Sequence, residues 1–351
     1  MSDASNSTDM TKANQMTGPG NIRAASVKYG ILIVALLALP MIAPPFWVYF
    51  IAILGINVIA IYGLNVMMGY TGLLSLGHAA FMGVGAYTAA LGQIHLNLPF
   101  WLSIPLAGIV TAVIGVGFGL PALRIRGLYL VIATLAAQFI LMFVFVHWTS
   151  VTNGDVGLNI EPASLFGYHL ATDTQMYYVI LAVLVASTLF TANVIRSRVG
   201  RAFVAVRERD LTAAVLGVNI VYYKLLAFAF GSFLAGIAGG LLVYFNSFVT
   251  PEQFNLQVSI FFLAAVIIGG QGSMLGSVLG AIFMTLVPEL LRLGLLAFSD
   301  VFGFDTSQIL VPLRETIFGL LIVTFLIFEP RGMAHLWHRV RNRVVPREEH
   351  V

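Results

Sequence analysis

Few side chains in this sequence can do more than pack, and the most suggestive of them sit beside glycine. Along GLNVMMGYTGLLSLGHAAFMGVGAY, residues 63–87, Asn65, Thr71, Ser75 and His78 interrupt an otherwise apolar run. A second interruption, IIGGQGSMLGSVLG at 267–280, holds Gln271, whose amide offers both donors and an acceptor. These are hydrogen-bonding groups, not paired acids or nucleophiles, and two uses compete for them. They line a passage for a small polar solute, or they satisfy backbone amides freed where a helix breaks. Gly69 and Gly72 in the first segment, and Gly269, Gly270 and Gly272 in the second, supply the breaks, because glycine takes backbone angles that other residues avoid. Gly69-x-x-Gly72 is echoed by Gly269-x-x-Gly272, a weak sign of internal duplication.

Other chemistries find no residues. The chain has no cysteine, which removes disulfides, thiolate metal sites and thiol nucleophiles. His335 and His338 stand three apart with no further ligand near them, so no metal site is expected. The His-Glu-x-x-His pattern is absent, as are Gly-x-Gly-Asp and Gly-x-Ser-Gly, and no cofactor is implied. A phosphate-cradling P-loop needs Gly-Lys-Ser/Thr. The lysines are Lys12, Lys28 and Lys224, and none follows a glycine, so the chain does not carry its own NTPase site.

The elements that must hold these residues are set by composition. Of 351 residues, 59% are hydrophobic and 9% charged, whereas soluble domains carry about 25% charged residues. The fold class expected is all-α and polytopic, because a helix satisfies its own backbone in lipid. With about 20 apolar residues needed per crossing, the candidate spans are 29–44, 46–68, 79–97, 99–121, 127–147, 176–195, 225–245, 257–272, 275–291 and 309–328, or about ten. The pair 257–291 reads alternatively as one hairpin dipping partway in. Residues 1–28 read as a disordered tail and not a cleavable signal, since the apolar run begins only near Tyr29. Residues 329–351 form a basic tail. With an even number of spans, every Lys and Arg except Arg292 and Arg314 falls on one side, which the positive-inside rule makes cytoplasmic, along with both termini. Loop 148–175, on the other side, carries Asp155, Glu161 and Asp173 and no Lys or Arg. Glu289 and Arg314 suit a structural ion pair between neighbouring spans better than a proton relay. Gly83, Gly85, Ala86, Ala89 and Ala90 look like close helix packing.

The basic loop 196–224 reads RSRVGRAFVAVRERDLTAAVLGVNIVYYK. Val206, Leu211, the adjacent Ala214 and Val215, and Val218 recur at steps of three to five residues, which predicts a short helix over about 207–216 with one apolar stripe. Asp210 suits its start and Gly217-x-Asn219 its end. Such a stripe on a loop either lies on lipid or docks a partner protein.

Taken together, these segments resemble the permease subunits of branched-chain amino-acid ABC importers, of the second-permease type. The block Gly63 to Tyr87 matches that family's GLNxxxGYxGxLSLGHAAFxGxGAY nearly residue for residue. Its cytoplasmic EAA-type loop is matched at Arg207-Glu208 through Gly217-Val218-Asn219, followed by Lys224 to Phe228. Its late GGxGSxxGxxxGA appears as Gly269 to Ala281 and its terminal PRG as Pro330-Arg331-Gly332. Asp210 and Thr212 stand where Glu and Ala are usual. The resemblance implies a bacterial inner-membrane permease that pairs with a second permease subunit as a heterodimer. It also implies two cytoplasmic ATP-binding subunits and a periplasmic solute-binding protein, and no nucleic acid. On this reading Arg207, Glu208, Asp210, Thr212, Ala213 and Gly217 couple to the ATPases, while Asn65, Thr71, Ser75, His78 and Gln271 line or shape the path. Thr152 to Leu158 and Glu252 offer a surface to the binding protein. The expected solute is a branched-chain or similar small amino acid. Urea, short-chain amides or aromatic acids are the alternative within the family, and a passive channel or ion-coupled carrier the alternative outside it.

Overall fold

The computed structural model describes residues 36–122, 128–165, 168–169, 172–302, 310–329 and 332–344. The expected tail 1–28 and residues 29–35 of the candidate span 29–44 lie outside these residues. The chain divides at Ile51 and Ala52 into two compact units. The first, in its described part, holds a short helical stretch over 36–42 and the opening turns of α1, where the Phe46, Trp47 and Phe50 rings pack together.

The second unit is almost wholly helical. Its elements are the rest of α1 (Pro45–Asn65), α2 (His78–Leu96), α3 (Phe100–Ala122), α4 (Leu128–His147) and α5 (Asp173–Arg196), then two short helices, α6 (Arg198–Glu208) and α7 (Asp210–Val215). It continues with α8 (Ile220–Asn246), α9 (Leu256–Gly269), α10 (Met274–Phe302), α11 (Leu310–Phe328) and α12 (Met333–Val344). These bounds follow the apolar runs because each run is long enough to cross hydrocarbon only as a helix. Seven helical segments among the described residues have the length and apolarity of a membrane span. Pro251–Gly269 and Met274–Leu295 each count among them by length and composition.

α2 is not among the seven, although it has 19 residues. Thirteen of them are buried by other helices, so its low apolarity costs nothing in lipid contact. It sits against α3 and α8, the most extensively packed group in the unit. The crossing of α2 and α8 needs glycine on both sides: a Cβ at Gly85 would collide with Gly236, and one at Gly239 with the Met82 carbonyl. Backbones brought this close gain dispersion contacts that larger side chains forbid.

Two small antiparallel ladders mark the face opposite the basic loop. Leu158–Asn159 pairs with Phe248–Val249, and Ser164–Leu165 with Tyr168–His169. Gln93, near the end of α2, donates to the Glu161 carbonyl at 3.1 Å, which places that end of α2 on the same face.

Candidate functional site

The two glycine breaks, far apart in sequence, meet in space. α1 does not run straight into a loop but ends in a π turn, Val66–Tyr70, after which Gly72 takes φ +75°. α9 ends at Gly269, and Gly272 takes φ +74° before α10 begins. A side chain in that left-handed region is strained, which explains glycine at the same place in both motifs. At Gly69 the reason is closeness: a Cβ there would overlap both Asn65 Oδ1 and the Gly272 amide.

Asn65 ties the breaks together. Its Nδ2 donates to the Ser273 carbonyl at 2.9 Å and to Ser277 Oγ at 2.7 Å, and its Oδ1 accepts from the Gly272 amide at 2.9 Å. Both donors and the acceptor are thereby engaged. Thr71 Oγ1 donates to the Val66 carbonyl at 2.9 Å, and Ser75 Oγ accepts from the Gly77 amide at 3.4 Å. His78 Nε2 lies 2.8 Å from the Ala60 carbonyl, so that nitrogen carries the proton, and its ring meets Phe262 edge-on. All four side chains are buried. The hydrogen bonds of Asn65, Thr71 and Ser75 brace the backbone around the break. Gln271 alone of the five path candidates is exposed.

The amides that begin α2 are also capped, by residues that lie 58 and 180 positions further along the chain. The Leu76 amide donates to Thr134 Oγ1 at 3.0 Å and the Ala79 amide to Ser259 Oγ at 2.9 Å. The Ala80 amide donates to Gln138 Oε1 at 3.0 Å, while Gln138 Nε2 donates to the Phe254 carbonyl at 2.7 Å and Ser259 Oγ to Gln138 Oε1 at 3.1 Å. One signal was available: Gln138 is the lone amide side chain in the oily helix α4, and polar groups in a span are seldom idle.

The basic loop departs from the single helix expected over 207–216. Arg209 is extended, with φ −153° and ψ 98°, and splits the segment into α6 and α7. The apolar stripe is split with it. Val206 belongs to α6 and is buried with Ala202 and Phe203 against α5, α8 and the π turn. On α7, Leu211, Val215 and Leu216 are 70%, 87% and 77% exposed. Ala213 faces inward and is buried, and Thr212, Glu208 and Gly217 are exposed. Gly217, with φ +82°, closes α7: its amide reaches the Ala214 carbonyl, and the Val218 amide reaches the Ala213 carbonyl, each at 3.0 Å. Asn219 then caps α8 by accepting from the Tyr222 amide at 3.1 Å. Asp210 at the start of α7 pairs with Lys224 of α8 at 2.8 Å, a partly buried contact that ties the start of α7 to α8.

Glu289 makes a two-pronged pair with Arg292 one turn along α10, closest at 2.6 Å. The Arg314 side chain, its expected partner, lies outside the described residues. At the second break, Gly332 seats against Gly270, where an added Cβ would come within 2.6 Å of the Gly270 Cα.

This is a helical membrane domain whose helices break at paired glycines beside a short amphipathic helix, the architecture of a transport-system permease. The family model for the branched-chain amino acid transport system permease component matches residues 46–326, and the chain belongs to that family. Similar relatives include the high-affinity branched-chain amino acid transport system permease protein LivM of Salmonella typhimurium and that of Escherichia coli. Each is 33% identical over 349 residues, covering 89% of this chain and 76% of LivM. The BraD permease protein of Pseudomonas aeruginosa is 27% identical, covering 75% of this chain and 86% of BraD. No solved structure matches the chain. The chain is a multi-pass membrane transport subunit, one component of a multi-subunit system.

Proposed function

We propose that this permease forms a heterodimer with a second permease subunit in a bacterial inner membrane and crosses it about ten times with both termini cytoplasmic. Two ATP-binding subunits drive it, and a periplasmic binding protein delivers branched-chain or similar small amino acids. The solute class rests on the names of the relatives, LivM and BraD. The charge asymmetry of the loops supports the orientation, since loop 196–224 is basic and loop 148–175 has no Lys or Arg.

The observation that carries the reading is the exposed apolar face of α7. Leu211, Val215 and Leu216 stand clear of the other described residues, yet α7 itself is anchored at Asp210 and capped at Gly217. A rigid apolar knob on a hydrophilic loop fits a cleft in a partner protein, and burying each of these side chains fully is worth about 1.5–3 kcal/mol. A passive channel has no use for it. The ATP-binding subunits are the partner this family reading supplies, because the sequence holds no P-loop of its own. Binding of ATP then has to favour one position of α7 over another for hydrolysis to drive transport. The breaks shape the path through their backbone and through the exposed Gln271, while Asn65, Thr71, Ser75 and His78 hold that backbone in place.

Reconstitution into liposomes with the second permease, the ATP-binding subunits and the binding protein tests the proposal. Uptake of radiolabelled leucine against a gradient is expected only when all components and ATP are present. Uphill uptake by the permeases alone would contradict it.

A further inference from the structure

Arg207 has a position that docking to a partner does not require. It is the second-last residue of α6, two before the extended Arg209 that separates α6 from α7. Its Nη1 donates to the Gly69 carbonyl in the π turn that ends α1. Its stem runs beside Gly72, where an added Cβ would lie 3.4 Å from Arg207 Cγ, and its Nη1 lies 3.0 Å from where a Cβ of Gly272 would be. One guanidinium therefore reaches both glycine breaks, and the approach is tightest at Gly272. The chemistry suits the place. The backbone amides that return to the π turn go to the Met67 and Met68 carbonyls, and the Gly69 carbonyl stands where the chain leaves the helix. Carbonyls at a helix C-terminus favour a cation.

We propose that Arg207 is a positioning residue that passes movement of α7 to both helix breaks. This rests on the reading of α7 as the partner-docking helix. α7 is joined to α6 by Arg209 alone, so displacement of α7 levers the end of α6 that carries Arg207. The guanidinium then pulls on Gly69, and Asn65, bonded to the Gly272 amide and the Ser273 carbonyl, moves the second break with the first. Arg207 was expected from sequence to contact the ATPases. The geometry turns one nitrogen of its fork inward, onto the permease's own backbone.

The test uses the complete reconstituted transporter, comparing Arg207→Met and Arg207→Lys with the parent. Methionine keeps the stem and removes the cation, and lysine keeps a cation without the planar fork. With Arg207→Met the ATP-binding subunits still co-purify, and leucine taken up per ATP hydrolysed falls about threefold to tenfold, the scale of the net contribution of one ordinary hydrogen bond. Arg207→Lys recovers at least half of that ratio. A second measurement needs only the purified permease: amide exchange in 66–73 and 269–273 rises together in Arg207→Met. Loss of the ATP-binding subunits from Arg207→Met would make Arg207 a docking contact and overturn the proposal. So would an unchanged uptake per ATP, or unchanged exchange in either break. If the parent itself retains no ATP-binding subunit, the functional reading fails, and the exchange comparison still decides the role of Arg207.

Discussion

α6 and α7 are separated by one residue and put their apolar surfaces to opposite uses. α6 buries Ala202, Phe203 and Val206 within the permease, with Phe203 against the Tyr223 ring. α7 buries Ala213 and presents Leu211, Val215 and Leu216 outward. The difference lies in the extended conformation of Arg209, which rotates one helical face away from the other. A loop between two spans thus acquires a fixed half and a half left for a partner. The same basic stretch that gives orientation in the membrane also gives a lever, because its inner half reaches the glycine breaks and its outer half does not.

Substitutions on the two halves should separate cleanly, and the largest effect belongs to α7. Leu211→Asp combined with Val215→Asp should leave the permease folded, since both sites are exposed, yet abolish co-purification of ATP-binding subunits and reduce ATP-driven uptake to background. Retention of the subunits by that variant would erase the contrast with α6. Phe203→Ala on α6 should do the reverse kind of damage. It opens a cavity in a fully buried site, for which about 3–5 kcal/mol of stability is the usual loss, read as a lowered unfolding midpoint in detergent. Arg207→Met comes next, with its threefold to tenfold loss in uptake per ATP and little loss of stability. The smallest effect is expected for Asp210→Asn, which weakens a partly buried pair with Lys224. Here about 1 kcal/mol is at stake, and Asp210→Glu should behave like the parent, sharpening the view that this acid anchors α7 internally.

Much of the fold was legible in the sequence because lipid leaves a chain few options. Each apolar run from residue 46 onward corresponds to a helix, although α10 runs on to Phe302, well past the run expected to end at 291, and the break positions at Gly69 to Gly72 and Gly269 to Gly272 stand where glycine pointed. The split at Arg209 was not legible. Val206, Leu211, Ala214 and Val215 keep helical spacing whether or not a single residue between them turns extended, so periodicity over ten residues does not register it. The use of the polar side chains was also hidden. A residue lining a passage and one capping a broken helix are the same residue types at the same spacing. What separates them is the partner, and Asn65 finds its partners about 200 residues away at Gly272, Ser273 and Ser277. Glycine carried a similar ambiguity: Gly85 and Gly236 serve a helix crossing, whereas Gly72 and Gly272 serve a turn.

The outer face of α7 can be watched directly, because the chain contains no cysteine and a single introduced thiol reports alone. Val215→Cys should react rapidly with a water-soluble maleimide in the purified permease and become protected, by at least about tenfold, once the ATP-binding subunits are bound. Equal labelling in the free permease and the assembled transporter would mean that nothing docks there.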